Sequence, residues 1–191
     1  MKLFDSISRR TCLAAAGALA AGAFLPCASW AAEGQKALII YYSRSGNTEQ
    51  LARFIAERTK LSLLKLEVKE PYAAAYGDMT DIAREEVRSK KRRELATSIP
   101  DLSGFDAVFI GSPYWWGSLS VPMATFLMDH PLDGKTIYPF ITSGSSSPSG
   151  ALNRIAELCP RAKMGEHFYV PGSGARGAQS DVNAWLAKIG F

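Results

Sequence analysis

Residues 37–48 read Ala37-Leu-Ile-Ile-Tyr-Tyr-Ser-Arg-Ser-Gly-Asn-Thr48, an apolar strand running straight into a hydroxyl-rich turn that opens a helix near Glu49. The first N–H groups of a helix lack intrahelical partners and sit at the positive end of its dipole, so such a turn attracts an anion. Ser43, Ser45 and Thr48 add hydroxyls around Arg44, Gly46 removes a Cβ that would obstruct close approach, and Asn47 tolerates turn geometry. The triphosphate-loop spacing Gly-x4-Gly-Lys-Ser/Thr is absent, as is Gly-x-Gly-x-x-Gly at this turn. Hydroxyls and amides without a lysine suit a monophosphate ester. The same residues would also serve as an ordinary capped strand-to-helix connection.

Outward from this turn, apolar runs at 37–42, 62–66, 107–110, 136–142 and 167–170 each precede a helix-compatible segment. Alternation of that kind predicts an α/β fold, a parallel sheet covered by helices, with the less apolar second and fifth runs at its edges. Pro71-Tyr72-Ala-Ala-Ala-Tyr76-Gly77 leads into a charged helix predicted from about Asp78 to Ala96, on which Lys90-Lys91-Arg92-Arg93 reads as a solvated face. Cys159 shares a helical face with Leu152, Ile155 and Ala156, which predicts burial. His130 reads as a partner for a helix C-terminus and His167 as an edge or core residue, and neither suggests a hydrolytic triad.

A second motif follows the third run. Pro113-Tyr114-Trp115-Trp116-Gly117 is predicted as a loop, and Pro122 as the first-turn proline of the next helix. Consecutive aromatics between Pro113 and Gly117 cannot all face one core, so at least one is expected to present its face to something flat. The fourth run ends in Thr142-Ser143-Gly144-Ser145-Ser146-Ser147, small residues that let a ring approach backbone donors. All three stretches leave the C-terminal ends of strands, the sheet edge at which open α/β folds bind ligands. Phosphate turn, stacking surface and ring-edge contacts together describe flavin mononucleotide, FMN.

On these motifs, with Thr125-Phe126-Leu127 behind the aromatic stretch, the chain resembles short-chain flavodoxin-like proteins over nearly all of residues 36–191. The resemblance implies a doubly wound five-stranded sheet in the order 2-1-3-4-5 with FMN across the ends of strands one, three and four. Carried over by position, Ser43, Arg44, Ser45, Gly46, Asn47 and Thr48 would hold the phosphate. Pro113, Tyr114, Trp115, Trp116 and Gly117 would flank the isoalloxazine, with Trp115 or Trp116 stacking, and Thr142, Ser143, Gly144 and Ser145 would meet its outer edge. The resemblance also suggests that a peptide flip at Gly117 could serve the flavin. Gly172-Ser-Gly174-Ala-Arg-Gly177 spells Gly-x-Gly-x-x-Gly, but too little chain follows it for a second strand with the acidic residue of a dinucleotide site, so it reads as a surface loop whose Arg176 could meet a partner.

The first 31 residues read as an export signal: Lys2, Arg9 and Arg10 precede an apolar run from Leu13 to Leu25 that is too short to span a bilayer, and Ser29-Trp30-Ala31 places cleavage after Ala31. Ser8-Arg9-Arg10-Thr11-Cys12-Leu13 resembles the twin-arginine signal, with Cys12 where Phe is usual. Removing these residues leaves 19 basic against 17 acidic side chains and Cys159 as the lone cysteine. Charge so balanced does not indicate nucleic-acid binding, and the membrane is expected to matter only during export, to a periplasmic or other exported location.

The expected function is redox work through FMN, with a partner protein or a small electron acceptor. Two classes compete. A carrier needs only an exposed ring edge, whereas an NAD(P)H:quinone-type reductase needs a pocket above the ring; the absence of an evident nicotinamide site favours the carrier. A third reading keeps the fold without flavin, as an interaction protein. The ring loops, 114–120 and 143–150, hold no Asp or Glu. Negative charge beside an anionic reduced flavin makes its last electron harder to add, so a less reducing couple than that of acidic flavodoxins is expected.

Overall fold

The computed structural model describes residues 35–144, 146–171 and 174–191, so the export-signal reading lies outside the described residues. In chain order the elements are β1 (Ala37–Tyr41), α1 (Asn47–Thr59), β2 (Leu63–Lys65), α2 (Tyr76–Arg88), β3 (Ala107–Trp115), β4 (Ser118–Leu119), α3 (Val121–Asp129), β5 (Thr136–Ser143), α4 (Ser149–Leu158), β6 (Lys163–Met164), β7 (Phe168–Pro171), a 3-10 turn (Gly174–Gly177) and α5 (Gln179–Ile189). The sheet runs β2-β1-β3-β5, and both β6 and β7 then pair with β5. Treated as one interrupted fifth strand, β6 and β7 complete the expected parallel order 2-1-3-4-5. Gly165 lies in the interruption, where a Cβ would fall 2.5 Å from the Tyr138 ring.

Strand periodicity divides the core. Ile39, Phe109 and Phe140 pack with Leu51, Ile55, Val182, Trp185 and Leu186 of α1 and α5, while Leu38, Ile40, Val108 and Ile141 pack with Met123, Phe126 and Ile155 of α3 and α4 on the other face. Cys159 is buried in that second cluster, as its helical face predicts. Helix α3 opens with Pro122 in its first turn and is buried from Val121 through Leu127, which is why it lacks a polar stripe.

Two expectations are corrected. The helix predicted to reach Ala96 ends at Arg88, where Ser89 turns its N–H and hydroxyl onto the Glu85 carbonyl. Lys90 then takes φ 53°, and the chain returns extended to pair beside the continuation of β2, with Lys69 N–H donating to Glu94 O and Ala96 N–H to Glu67 O. The open backbone groups of that border outcompete further helix. Arg93 consequently leaves the solvated face: its Nε donates to both Glu86 carboxylate oxygens at 3.0 and 3.1 Å.

The second correction concerns the aromatic stretch. Strand β3 continues through Pro113, Tyr114 and Trp115 and turns back as a hairpin, pairing Tyr114 with Leu119 and Trp115 with Ser118. Trp116 and Gly117 form its two-residue turn, with φ 48° and 86°. Positive φ at both central positions matches the right-handed twist of the flanking strands, and Gly117 is the residue that adopts it without a Cβ penalty.

Candidate functional site

The turn after β1 leaves the start of the next helix open while turning two of its side chains inward or away. Helix α1 begins at Asn47, with Gly46 as its N-cap at φ 86°, and no side chain caps it. The ordinary capping reading of this turn is therefore not what the chain adopts. The Ser43 hydroxyl oxygen is buried without a hydrogen-bond partner among the described residues, an arrangement that costs about 1–3 kcal/mol unless a ligand satisfies it. Thr48 is spent internally, its hydroxyl 2.9 Å from that of Thr142, and both residues are buried. This contact ties the start of α1 to the end of β5. Arg44 also turns elsewhere, donating to the carbonyls of Ala73 and Ala74.

The hairpin is held at both ends. At its base the Ser112 hydroxyl accepts from Ser120 N–H at 3.0 Å and lies 3.0 Å from the Ser120 hydroxyl. Its tip lies against the start of α4, where a Cβ on Gly150 would meet the Gly117 carbonyl oxygen at 2.1 Å. Trp115 packs edge-on against Tyr42 and Tyr72, at centroid distances of 5.7 and 5.1 Å. Tyr72 donates its hydroxyl to Glu86 at 2.6 Å, and the Arg93 guanidinium lies 3.8 Å over its ring. Burial, reinforced by the Glu86 carboxylate, pushes the Tyr72 hydroxyl well above the ordinary tyrosine pKa; burial pushes Tyr42 up to about 12. Trp116 is 50% exposed, donates its indole N–H to Thr80 O at 3.0 Å and carries the Arg84 guanidinium 5.2 Å over its ring.

A cleft of about 350 Å³ gathers these pieces on one rim of the sheet. Ser45 and Asn47 line one end, Pro113, Tyr114, Trp115 and Trp116 one wall, and Thr142, Ser143 and Gly144 the opposite edge. The remaining expected residues take other places. Gly46 lines an adjoining groove, Gly117 faces the far side of the hairpin, and Ser145 lies outside the described residues.

Sequence reading missed the other wall, formed by Tyr76, Met79, Thr80 and Ala83 of α2. Their spacing of i, i+3, i+4 and i+7 is a helical stripe visible in the sequence. Placed just after the C-terminal end of β2, that stripe was the available signal. A volume of this size, walled by aromatics with polar groups at its ends, suits a flat ring system carrying an anionic tail.

Comparison with known proteins agrees with this chemistry. The family profile described as Flavodoxin matches residues 36–189. The chain is similar to proteins named NAD(P)H dehydrogenase (quinone) from Cupriavidus metallidurans, 32% identical over 92 residues covering 48% of this chain and 45% of the relative, and from Azorhizobium caulinodans, 30% identical over the same extent. The chain thus spans about half the length of the curated relatives it matches. Among solved structures, a protein from Bacteroides eggerthii described as a candidate flavoprotein superposes with TM-score 0.72 and 26% identity over 83% of this chain and 99% of that one. A flavoprotein in complex with FMN from Lactobacillus acidophilus gives 0.64 and 25%, over 80% and 99%.

Proposed function

Because the chain belongs to the flavodoxin family, we propose that it binds FMN and works as a redox protein, exchanging electrons with a partner protein or a small acceptor. FMN, when bound, supplies reversible electron acceptance; the protein supplies binding, orientation and electrostatics. The observation that carries this reading is the single cleft joining the hydroxyl turn to the aromatic hairpin and to Thr142–Gly144. The residues fit the group: Ser45 and Asn47, at the uncapped start of α1, offer donors for a phosphate. Tyr114, Trp115 and Trp116 would enclose the ring with Met79 and Tyr76, while Thr142, Ser143 and Gly144 would hold its polar edge.

Purified protein incubated with FMN should acquire a bound flavin spectrum that bleaches on anaerobic reduction. Protein that stays colourless would leave the flavin-free interaction reading in its place. A carrier is the primary reading, because an exposed ring edge is all that it needs. The NAD(P)H:quinone reductase reading is supported by the names of the two relatives and by the wall that α2 raises beside the cleft. Steady-state assay with NADPH and a quinone separates them, since rapid turnover is a property of the reductase alone.

We further propose export of the loaded protein by the twin-arginine route, supported by Arg9-Arg10 ahead of the apolar run. That route carries folded proteins, so FMN could be loaded before export. Replacing both arginines by lysine should retain the protein inside the cell; unchanged export would refute this.

A further inference from the structure

A second groove, of about 310 Å³, opens beside the phosphate turn and is lined by Ser45, Gly46, Asn47, Glu49, Arg53 and Arg176, among others. Arg176 comes from the far end of the chain, on the 3-10 turn Gly174–Gly177. This is the segment whose Gly-x-Gly-x-x-Gly spelling reads as a surface loop. Its backbone is anchored on both sides, since Ala175 is 0% and Ala178 4% exposed, both within the core that contains α1. Arg176 itself stays exposed, so the fold fixes the backbone that carries this groove-lining side chain.

The charge around the turn singles it out. The Arg44 guanidinium is turned to the Ala73 and Ala74 carbonyls. Arg53 is paired with Glu49 at 2.6 Å, and Lys65 approaches the same carboxylate at 3.6 Å. The hydrogen bond from Arg53 holds the Glu49 carboxyl below its ordinary range, so the one acid in the groove is already compensated. Arg176 forms no ion pair among the described residues. The turn's other donors are neutral hydroxyls and amides, whereas a phosphate monoester carries close to two negative charges at neutral pH.

We propose that Arg176 is the counter-charge for the cofactor's terminal phosphate, closing the hydroxyl turn from the side and selecting phosphorylated flavin over riboflavin. This rests on the FMN reading above and adds to it a residue and a basis for discrimination. A guanidinium on a phosphate makes a charge-assisted contact that falls off with salt.

The test is equilibrium binding of FMN and of riboflavin to apoprotein, followed by flavin fluorescence, for the wild type, R176Q and R176K. R176Q should bind FMN roughly tenfold more weakly while riboflavin affinity stays within about twofold. R176K should recover part of the loss, and added salt should narrow the gap between wild type and R176Q. R176Q that binds FMN as well as wild type overturns the proposal, and so does an equal loss for both flavins, which would mark Arg176 as structural. Wild type that binds neither flavin sinks the FMN reading and this inference together; FMN binding indifferent to Arg176 sinks the inference alone.

Discussion

Ser43 carries a penalty in the unliganded fold that a ligand reaching its hydroxyl would remove. Its buried hydroxyl lacks a partner among the described residues, so S43A should leave the unfolding free energy of the apoprotein, read by urea titration, unchanged or raise it by up to about 1 kcal/mol, while weakening FMN binding roughly tenfold. A large loss of apoprotein stability would show that the hydroxyl is already bonded. The hydroxyl-rich character of the turn at Ser43 was legible because turn chemistry is local, written in neighbouring residues. The destination of Arg44 was not, because its acceptors, the Ala73 and Ala74 carbonyls, come from a distant segment. The same holds for Thr48, whose hydroxyl meets Thr142 across 94 positions of chain.

Elements bring such partners together, and the hairpin of β3 and β4 shows how tightly. A methyl group at position 150 would run into the backbone oxygen of Gly117, which cannot rotate away as a side chain could. G150A should therefore cost about 1–3 kcal/mol and weaken FMN binding by displacing the aromatic tip, both readable by urea unfolding and flavin titration. Behind the hairpin, Tyr72 couples α2 to Trp115 through Glu86 and Arg93. Its hydroxyl proton is held more tightly in the fold than in the unfolded chain, whose ordinary pKa is 10.0. The resulting stability is complete below that pH and is lost as the pH climbs past it. Urea unfolding of the wild type should accordingly fall more steeply above pH 10 than that of Y72F.

The hairpin itself was misread as a loop because consecutive aromatics show no period at either strand or helix spacing when one of them occupies the turn. The end of α2 was misread for a different reason: charged residues are good helix formers, and only the unfilled border of β2 makes 94–97 extended. By contrast the stripe at 76, 79, 80 and 83 was present in the sequence, but its target, a cleft built by three other segments, exists only in the fold.

At the scale of the molecule, the parallel sheet covered by helices was legible because each apolar run is followed by a helix, while the order of its strands came only from the family resemblance. The division of the last strand into β6 and β7 was not legible, since it falls beside Gly165, where the Tyr138 ring of the neighbouring strand leaves no room for a Cβ. The loops beside the cleft, 114–120 and 143–150, lack acidic residues, and Arg84 sits over Trp116. Bound FMN should therefore show a less negative midpoint potential than an acidic flavodoxin titrated alongside it; an equal or lower value would mean that the protein's wider field decides instead. The interrupted final strand has another outcome. One margin of the sheet offers only three residues, β2, ending in Lys65, and the other offers two short pieces, the first beginning with Lys163. Among the described residues neither margin gives a neighbouring molecule an unbroken row of amides to zip onto, an arrangement of short pieces and lysine that works against fibrous self-association.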